Sequence, residues 1–242
     1  MNGFAVMVKG EKPAIRVRKP LSSAGTHVGK RRSQNEDRYL NSTGDQLYAV
    51  ADGMGGHEHG EVCADECIQR LHRESRPFPK KLSPKDAAVS VKMDVLEVNR
   101  QLQLQKFKDK RLEHAGSTLI VAKVYQRHVI WCNVGDSRLY HIRPSAGLKQ
   151  ITKDQGHGGM LEECMGIMPD AKPDCGAFPA VSGDLILLCS DGLTDMVDNA
   201  GIFKAVKANR KNGIDAMRNA LIDAALDGGG RDNITVILVQ MP

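Results

Sequence analysis

Residues 47–60 read Leu47-Tyr48-Ala49-Val50-Ala51-Asp52-Gly53-Met54-Gly55-Gly56-His57-Glu58-His59-Gly60, and the chain changes character halfway along them. Leu47 to Ala51 is apolar and predicts a short buried strand. Asp52 sets one carboxylate at the strand end, ahead of a turn in which four of eight residues are glycine. Glycine serves where backbone must turn sharply or come very close to a ligand. A carboxylate beside such a turn suits a hard cation held by oxygen ligands. An isolated Asp-Gly is more simply a turn, so the reading depends on whether other strands end in the same way.

Working outward, they do. On the N-terminal side Arg32-Ser-Gln-Asn-Glu36-Asp37-Arg38-Tyr39-Leu40 places two adjacent acids at a strand start. Their mutual repulsion calls for a cation or an arginine between them. On the C-terminal side residues 60–76 predict a helix with Cys63, Ala64, Cys67, Ile68 and Leu71 on one face. Ser83-Pro84 reads as a cap and first-turn proline opening a second helix, whose stripe is Ala88, Val91, Val95, Val98 and Leu102. Strands follow at Leu119–Tyr125, Val129–Val134, Arg138–Ile142 and Leu148–Ile151, the first two joined at Gln126-Arg127 and the next pair at Gly135-Asp136-Ser137. Residues 156–183, rich in Gly, Pro and Met, show no sustained periodicity and predict a long functional or mobile loop.

Leu185-Ile-Leu-Leu-Cys189 is continuously apolar, predicts a strand buried on both faces, and ends in Ser190-Asp191-Gly192, a second strand-then-Asp-Gly junction. Two helices then carry Ile202, Phe203 and Val206 and Ile214, Met217, Leu221 and Ala224. Gly228-Gly-Gly-Arg231-Asp232-Asn233 leads into a last strand, Ile234–Val239. Toward the N-terminus, Ile15 and Val17 could join a sheet edge, residues 1–20 are expected to form a loose segment, and 22–34 are polar with no strand assigned.

The bulk properties bound the function. A chain of 242 residues, 41% hydrophobic and 26% charged, is an ordinary globular composition, and the absence of a linker or repeat makes it one domain. Net charge is +5, and eight Lys or Arg against one acid before Ser33 give the N-terminal region a basic bias. Basic and aromatic residues are not interleaved, so a solvated face is preferred to a nucleic-acid patch, and no nucleic-acid partner is expected. No apolar run approaches the ~20 residues that span a bilayer, and no secretion signal is read at the start. Cys63, Cys67, Cys132, Cys164, Cys175 and Cys189 form no CxxC pair and are read as buried free thiols. A cytoplasmic monomer without membrane attachment is the expectation.

Six acids now stand at strand ends or tight turns: Glu36, Asp37, Asp52, Asp136, Asp191 and Asp232. Hard oxygen donors without a His or Cys cluster favour Mg²⁺ or Mn²⁺ over Zn²⁺. Several carboxylates around two such cations form a clamp for in-line displacement at phosphorus.

In these residues the sequence resembles the metal-dependent protein phosphatase (PPM) family, the protein phosphatase 2C type, in its bacterial single-domain form. Seven ordered segments carry the likeness: Arg32-Ser-Gln-Asn-Glu36-Asp37, Val50-Ala-Asp52-Gly53-Met-Gly-Gly-His57, Gly116-Ser-Thr118, Asn133-Val-Gly-Asp136-Ser-Arg138, Ile151-Thr-Lys-Asp154, Leu188-Cys-Ser-Asp191-Gly192 and Asp232-Asn-Ile-Thr235. The resemblance implies an α+β fold, a four-layer αββα sandwich of two antiparallel β-sheets flanked by helix pairs, with 21–242 as the catalytic domain. It implies that Asp52 bridges two Mn²⁺ or Mg²⁺ ions and the Gly53 carbonyl binds one. Asp191 and Asp232 complete one shell, and Glu36 and Asp37 hold the other ion. Asp136 is a candidate for a third metal, and Arg32 grips the substrate phosphate.

The activity so implied is hydrolysis of phosphoserine and phosphothreonine in proteins, the targets of a cognate Ser/Thr kinase, by direct attack of a hydroxide bridging the two metals. Met54 stands where eukaryotic relatives carry a histidine, which leaves His57, His59 or a metal-bound water as candidate general acid. The segment after Asp154 is shorter than the flap of many bacterial relatives. The competing readings are a pseudophosphatase that only docks a partner, and a two-metal phosphoesterase acting on non-protein substrates.

Overall fold

A computed structural model describes residues 19–54, 59–79, 81–157 and 160–242. In chain order its elements are β1 (Leu21–His27), β2 (Arg38–Ser42), β3 (Leu47–Ala51), β4 (Gly53–Met54), α1 (Gly60–Glu74), α2 (Pro84–Lys108), β5 (Gly116–Ser117), β6 (Leu119–Tyr125) and β7 (His128–Val134). There follow β8 (Arg138–Arg143), β9 (Gly147–Gln150), β10 (Gly156–His157), β11 (Met160–Leu161), β12 (Asp174–Pro179), β13 (Leu185–Cys189), α3 (Asp191–Thr194), α4 (Asn199–Asn209), α5 (Ile214–Asp227) and β14 (Ile234–Gln240).

Two five-stranded sheets, ordered β1-β14-β13-β8-β9 and β12-β7-β6-β3-β2, are antiparallel throughout. They pack face to face, and the alternation of side chains along each strand feeds three separate apolar layers. Along β3, Tyr48 and Val50 point into the layer between the sheets with Trp131, Leu139, Leu188 and Ile237. The alternate residues Leu47, Ala49 and Ala51 point the other way, onto Cys63, Cys67, Leu71, Val91, Val95 and Val98 of α1 and α2. On the second sheet Leu185, Leu187, Val236 and Leu238 meet Ile202, Val206, Met217 and Leu221 of α4 and α5. β3 and β13 are therefore apolar on every residue, and each such Leu, Ile or Val contributes roughly 1.5–3 kcal/mol by burial. The αββα sandwich is the predicted one, with both predicted helix pairs on its outer faces.

Local signals also hold. Ser83 Oγ accepts from the Asp86 N–H at 3.1 Å and Pro84 opens α2. Gln126 adopts a left-handed φ of 56° in the β6–β7 turn.

Several expectations are corrected. The polar segment 22–34 predicts no strand, yet β1 pairs along its whole length with β14. It is an edge strand, where polar residues are tolerated because one side faces water. The loop predicted over 156–183 contains the β10–β11 hairpin and β12, which pairs with β7. The β12 sequence Asp-Cys-Gly-Ala-Phe-Pro is poor in strand formers, but Gly176 is required because a Cβ there would meet the Trp131 indole at 2.9 Å. The same register sets Cys175 opposite Cys132, and the two are joined in a disulfide, so the free-thiol reading holds for Cys63, Cys67, Cys164 and Cys189 and fails for this pair. On α5 it is Ala225 rather than Ala224 that is buried. Ile15 and Val17 lie outside the described residues. No helix among the described residues is long and apolar enough to cross a membrane.

Candidate metal centre

The six acids come from both sheets. Asp52 follows β3 and Asp136 follows β7 on one sheet, where Glu36 and Asp37 also precede β2; Asp191 follows β13 and Asp232 precedes β14 on the other. Glycines let these ends converge. A Cβ on Gly53 would lie 2.3 Å from the Gly60 carbonyl oxygen and 2.8 Å from that of Glu36. A Cβ on Gly192 would lie 2.0 Å from the Asn233 oxygen. No other residue fits either place.

Backbone clamps fix the carboxylate-bearing turns. The Asp52 N–H donates to Thr118 Oγ1 at 3.0 Å, while its carbonyl accepts from the Thr118 N–H at 2.8 Å and from Ser117 Oγ at 3.0 Å. Asn233 Oδ1 accepts from the Glu36 N–H at 2.8 Å, and its Nδ2 donates to the Val28 and Gln34 carbonyls, each at 2.9 Å. Ser190 Oγ donates to Asp37 Oδ2 at 2.7 Å and accepts from the Thr235 N–H at 3.0 Å. Thr118, Ser190 and Asn233 are buried organisers to which sequence reasoning gave no role, although all three lie inside the segments it quoted. The signal was the small polar residue at each junction, whose purpose depends on a partner far away in sequence.

Electrostatics mark these acids as one group. Burial pushes the Asp52 carboxyl well above the ordinary carboxylate range, and the charges of Asp37, Asp191, Asp232 and Asp136 add to it. Asp37 is pushed up to about 6, mainly by burial, against the hydrogen bonds from Thr235 and Ser190. Asp191 is pushed up to about 7, by burial and then by Asp136, Asp232, Asp195 and Asp37. Glu36 is raised by burial and by Glu61. Asp136 is raised by burial, opposed by Arg138, which Asp154 grips with contacts of 2.6 and 2.9 Å.

Asp37 Oδ1 and Asp191 Oδ1 are buried without a hydrogen-bond partner. Such orphaned acceptors cost about 1–3 kcal/mol each, more for charged groups, and call for an ion or another donor. The donor set is carboxylate oxygen throughout, the chemistry of Mg²⁺ and Mn²⁺. The residues therefore fit divalent cations. Among the described residues, however, no three His, Cys, Asp or Glu side chains already surround one point at ligand distance. Asp232 Oδ2 accepts from Arg32 Nη2 at 2.6 Å.

Arg32 is thus more than half exposed and tied to one of the acids. His59 precedes α1 in a left-handed conformation with φ 74°. His57 lies outside the described residues.

Comparison with known proteins bears on this arrangement. The family described as Protein phosphatase 2C matches residues 24–223. The serine/threonine phosphatase stp of Listeria monocytogenes is 29% identical over 238 residues, spanning 89% of this chain and 93% of its own. PstP of Mycobacterium tuberculosis, a serine/threonine protein phosphatase, is 32% identical over 240 residues, which are 90% of this chain and 44% of that protein. Among solved structures, the catalytic domain of PstP in complex with two manganese ions superposes with a TM-score of 0.80 at 29% identity, covering 92% of this chain and 98% of that one. PppA of Pseudomonas aeruginosa gives a TM-score of 0.81 at 26% identity, covering 93% and 98%.

Proposed function

This chain belongs to the protein phosphatase 2C family, and from that premise we propose that Glu36, Asp37, Asp52, Gly53, Asp191 and Asp232 hold its two metal ions and that Arg32 receives the substrate phosphate. The protein is a metal-dependent protein serine/threonine phosphatase with a dimetal centre of Mn²⁺ or Mg²⁺. The observation that carries the residue assignment is the pair of orphaned buried oxygens on Asp37 and Asp191, in the group of raised acids centred on Asp52.

When bound, the two cations supply an activated water near neutral pH and offset charge on the phosphoryl oxygens. The chain's own residues do the rest. Asp52, clamped by Thr118 and Ser117 on its backbone, is the fixed centre of the donor set. Arg32 exchanges Asp232 for two phosphate oxygens, which its planar fork can grip together. The phosphoryl group is thereby oriented for in-line attack. Asp136 is the candidate for a third ion. His59 is the candidate, among the described residues, that protonates the departing serine or threonine oxygen. The substrates so implied are proteins phosphorylated by a cognate Ser/Thr kinase, residues 21–242 form the catalytic domain, and the chain acts as a monomer.

Phosphate release from a phosphothreonine peptide tests this. Mn²⁺-dependent turnover that disappears with chelator, and that Asp52→Asn lowers on the order of 10³-fold, is expected. Turnover indifferent to both would sink the assignment. For His59, His59→Gln should slow a phosphopeptide more than an aryl phosphate, because only the poorer alkoxide leaving group needs the proton.

A further inference from the structure

The basic bias near the N-terminus is used only in part by the chemistry above. Lys30, Arg31 and Arg32 lie on the turn after β1, and Arg231 lies on the glycine turn before β14; all four are exposed. The two turns are locked together. The Lys30 N–H donates to the Gly230 carbonyl at 2.7 Å. Gly29, with φ +82°, backs onto the Asp232 carbonyl so closely that a Cβ would lie 2.2 Å from it. Asn233 ties the same turn down through Val28 and Gln34.

Arg32 is committed to Asp232 and, in the proposed reaction, to phosphate. The side chains of Lys30, Arg31 and Arg231 have no ion pair or hydrogen bond among the described residues. Three unpaired cations thus stand on a fixed ridge beside a metal-site acid, brought there by turns about 200 residues apart in sequence.

We propose that this ridge is a substrate-selecting lip: Lys30, Arg31 and Arg231 favour phosphoserine or phosphothreonine segments that carry further anionic groups, carboxylate or a second phosphate, beside the target residue. The inference rests on the phosphatase reading and deepens it by naming the substrate class. Cations on fixed backbone around a cleft raise the local concentration of anionic partners and their on-rates, and they do so most at low salt. They are specificity residues and take no part in the chemical step.

The test compares kcat/KM on four phosphothreonine peptides differing only in their flanks: acidic, doubly phosphorylated, neutral and basic. p-Nitrophenyl phosphate, which has no flanks, serves as reference. With Mn²⁺ at low ionic strength, the acidic or doubly phosphorylated peptide is expected to exceed the basic one about tenfold, the preference collapsing at ~0.5 M salt. The more preferred of those two peptides identifies the anion. Arg31→Ala/Arg231→Ala should abolish the preference while turnover of p-nitrophenyl phosphate stays unchanged, which also shows that the variant is folded; Lys30→Ala added to it should have the smaller further effect. Equal rates on acidic and basic peptides by the wild type, or a preference that survives in the variant, would overturn the proposal while leaving the phosphatase reading intact. Failure of the wild type on every substrate, p-nitrophenyl phosphate included, would overturn both.

Discussion

Strand β13 carries an aspartate at each end, Asp184 buried and Asp191 half-buried, and the two have opposite fates. Asp184, just before the strand, is 2% exposed and surrounded by partners. It accepts from Arg143 at 2.9 and 3.0 Å and from the Val181 N–H at 3.0 Å, and His141 Nε2 lies 2.8 Å away. Burial alone would raise its carboxyl, but Arg143, Val181 and His141 outweigh that and hold it down to about 2. Asp191, beyond the other end, is pushed up to about 7 among further acids and keeps an oxygen with no donor. The six residues between them, Leu185 to Ser190, are all buried. What separates the two aspartates is whether the chain supplies the counter-charge. At Asp184 it does, and the acid is structural. At Asp191 it does not, and the acid is left for a cation.

The sharpest way to break this contrast is to neutralise each end in turn. Asp191→Asn should lower Mn²⁺-dependent phosphopeptide turnover on the order of 10³-fold, yet leave the metal-free protein at least as stable in urea, since it relieves repulsion. Asp184→Asn should do the reverse, costing about 1–3 kcal/mol in urea unfolding because a buried carboxylate that accepts from Arg143 and the Val181 N–H is lost, with kcat/KM per folded molecule unchanged. Equal stability losses at both ends would erase the distinction.

Arg32 tests a smaller effect. Its pair with Asp232 is exposed, so Arg32→Ala should change metal-free stability by less than ~1 kcal/mol, while kcat/KM falls roughly 10- to 100-fold through loss of phosphate orientation. A large loss of stability would make Arg32 a structural residue.

The pH dependence of the melting temperature sharpens the same comparison. Asp184 is depressed in the folded state, so its contribution is present above about pH 4, the unfolded value, and is lost as pH falls toward about 2. Asp37 and Asp191 are raised to about 6 and about 7, so in metal-free protein stability declines as pH climbs from about 4 through 7, where the folded state must release protons it holds more tightly than the unfolded chain. Thermal scans in chelator should show that decline, and saturating Mn²⁺ should remove it. A metal-free protein whose melting temperature rises between pH 5 and 7.5 would contradict the assignment.

Much of this was legible in the sequence, for identifiable reasons. β3 and β13 are sandwiched between layers, so every residue is apolar and the Asp that ends each run stands out. α1 and α2 show one clear stripe because each packs on a single sheet face. β1 and β12 were missed because edge strands need little apolar character and because Gly176 answers to Trp131, a residue on another strand. The Cys132–Cys175 pair depended on that same unseen register. At the centre, acids at strand ends could be picked out one by one, but their grouping, the part played by Asn233 and the Arg32–Asp232 contact required the two sheets to be brought together.

The central claim, that unmet carboxylate charge at one end of the sandwich is a binding site for two cations, is tested most directly by calorimetric titration of Mn²⁺ into the metal-free protein and its Asp52→Asn variant. Two equivalents bound by the wild type, with loss of at least one of them in Asp52→Asn, is the predicted result. A wild type that binds no Mn²⁺, or a variant that binds it with the same stoichiometry and affinity, would contradict it.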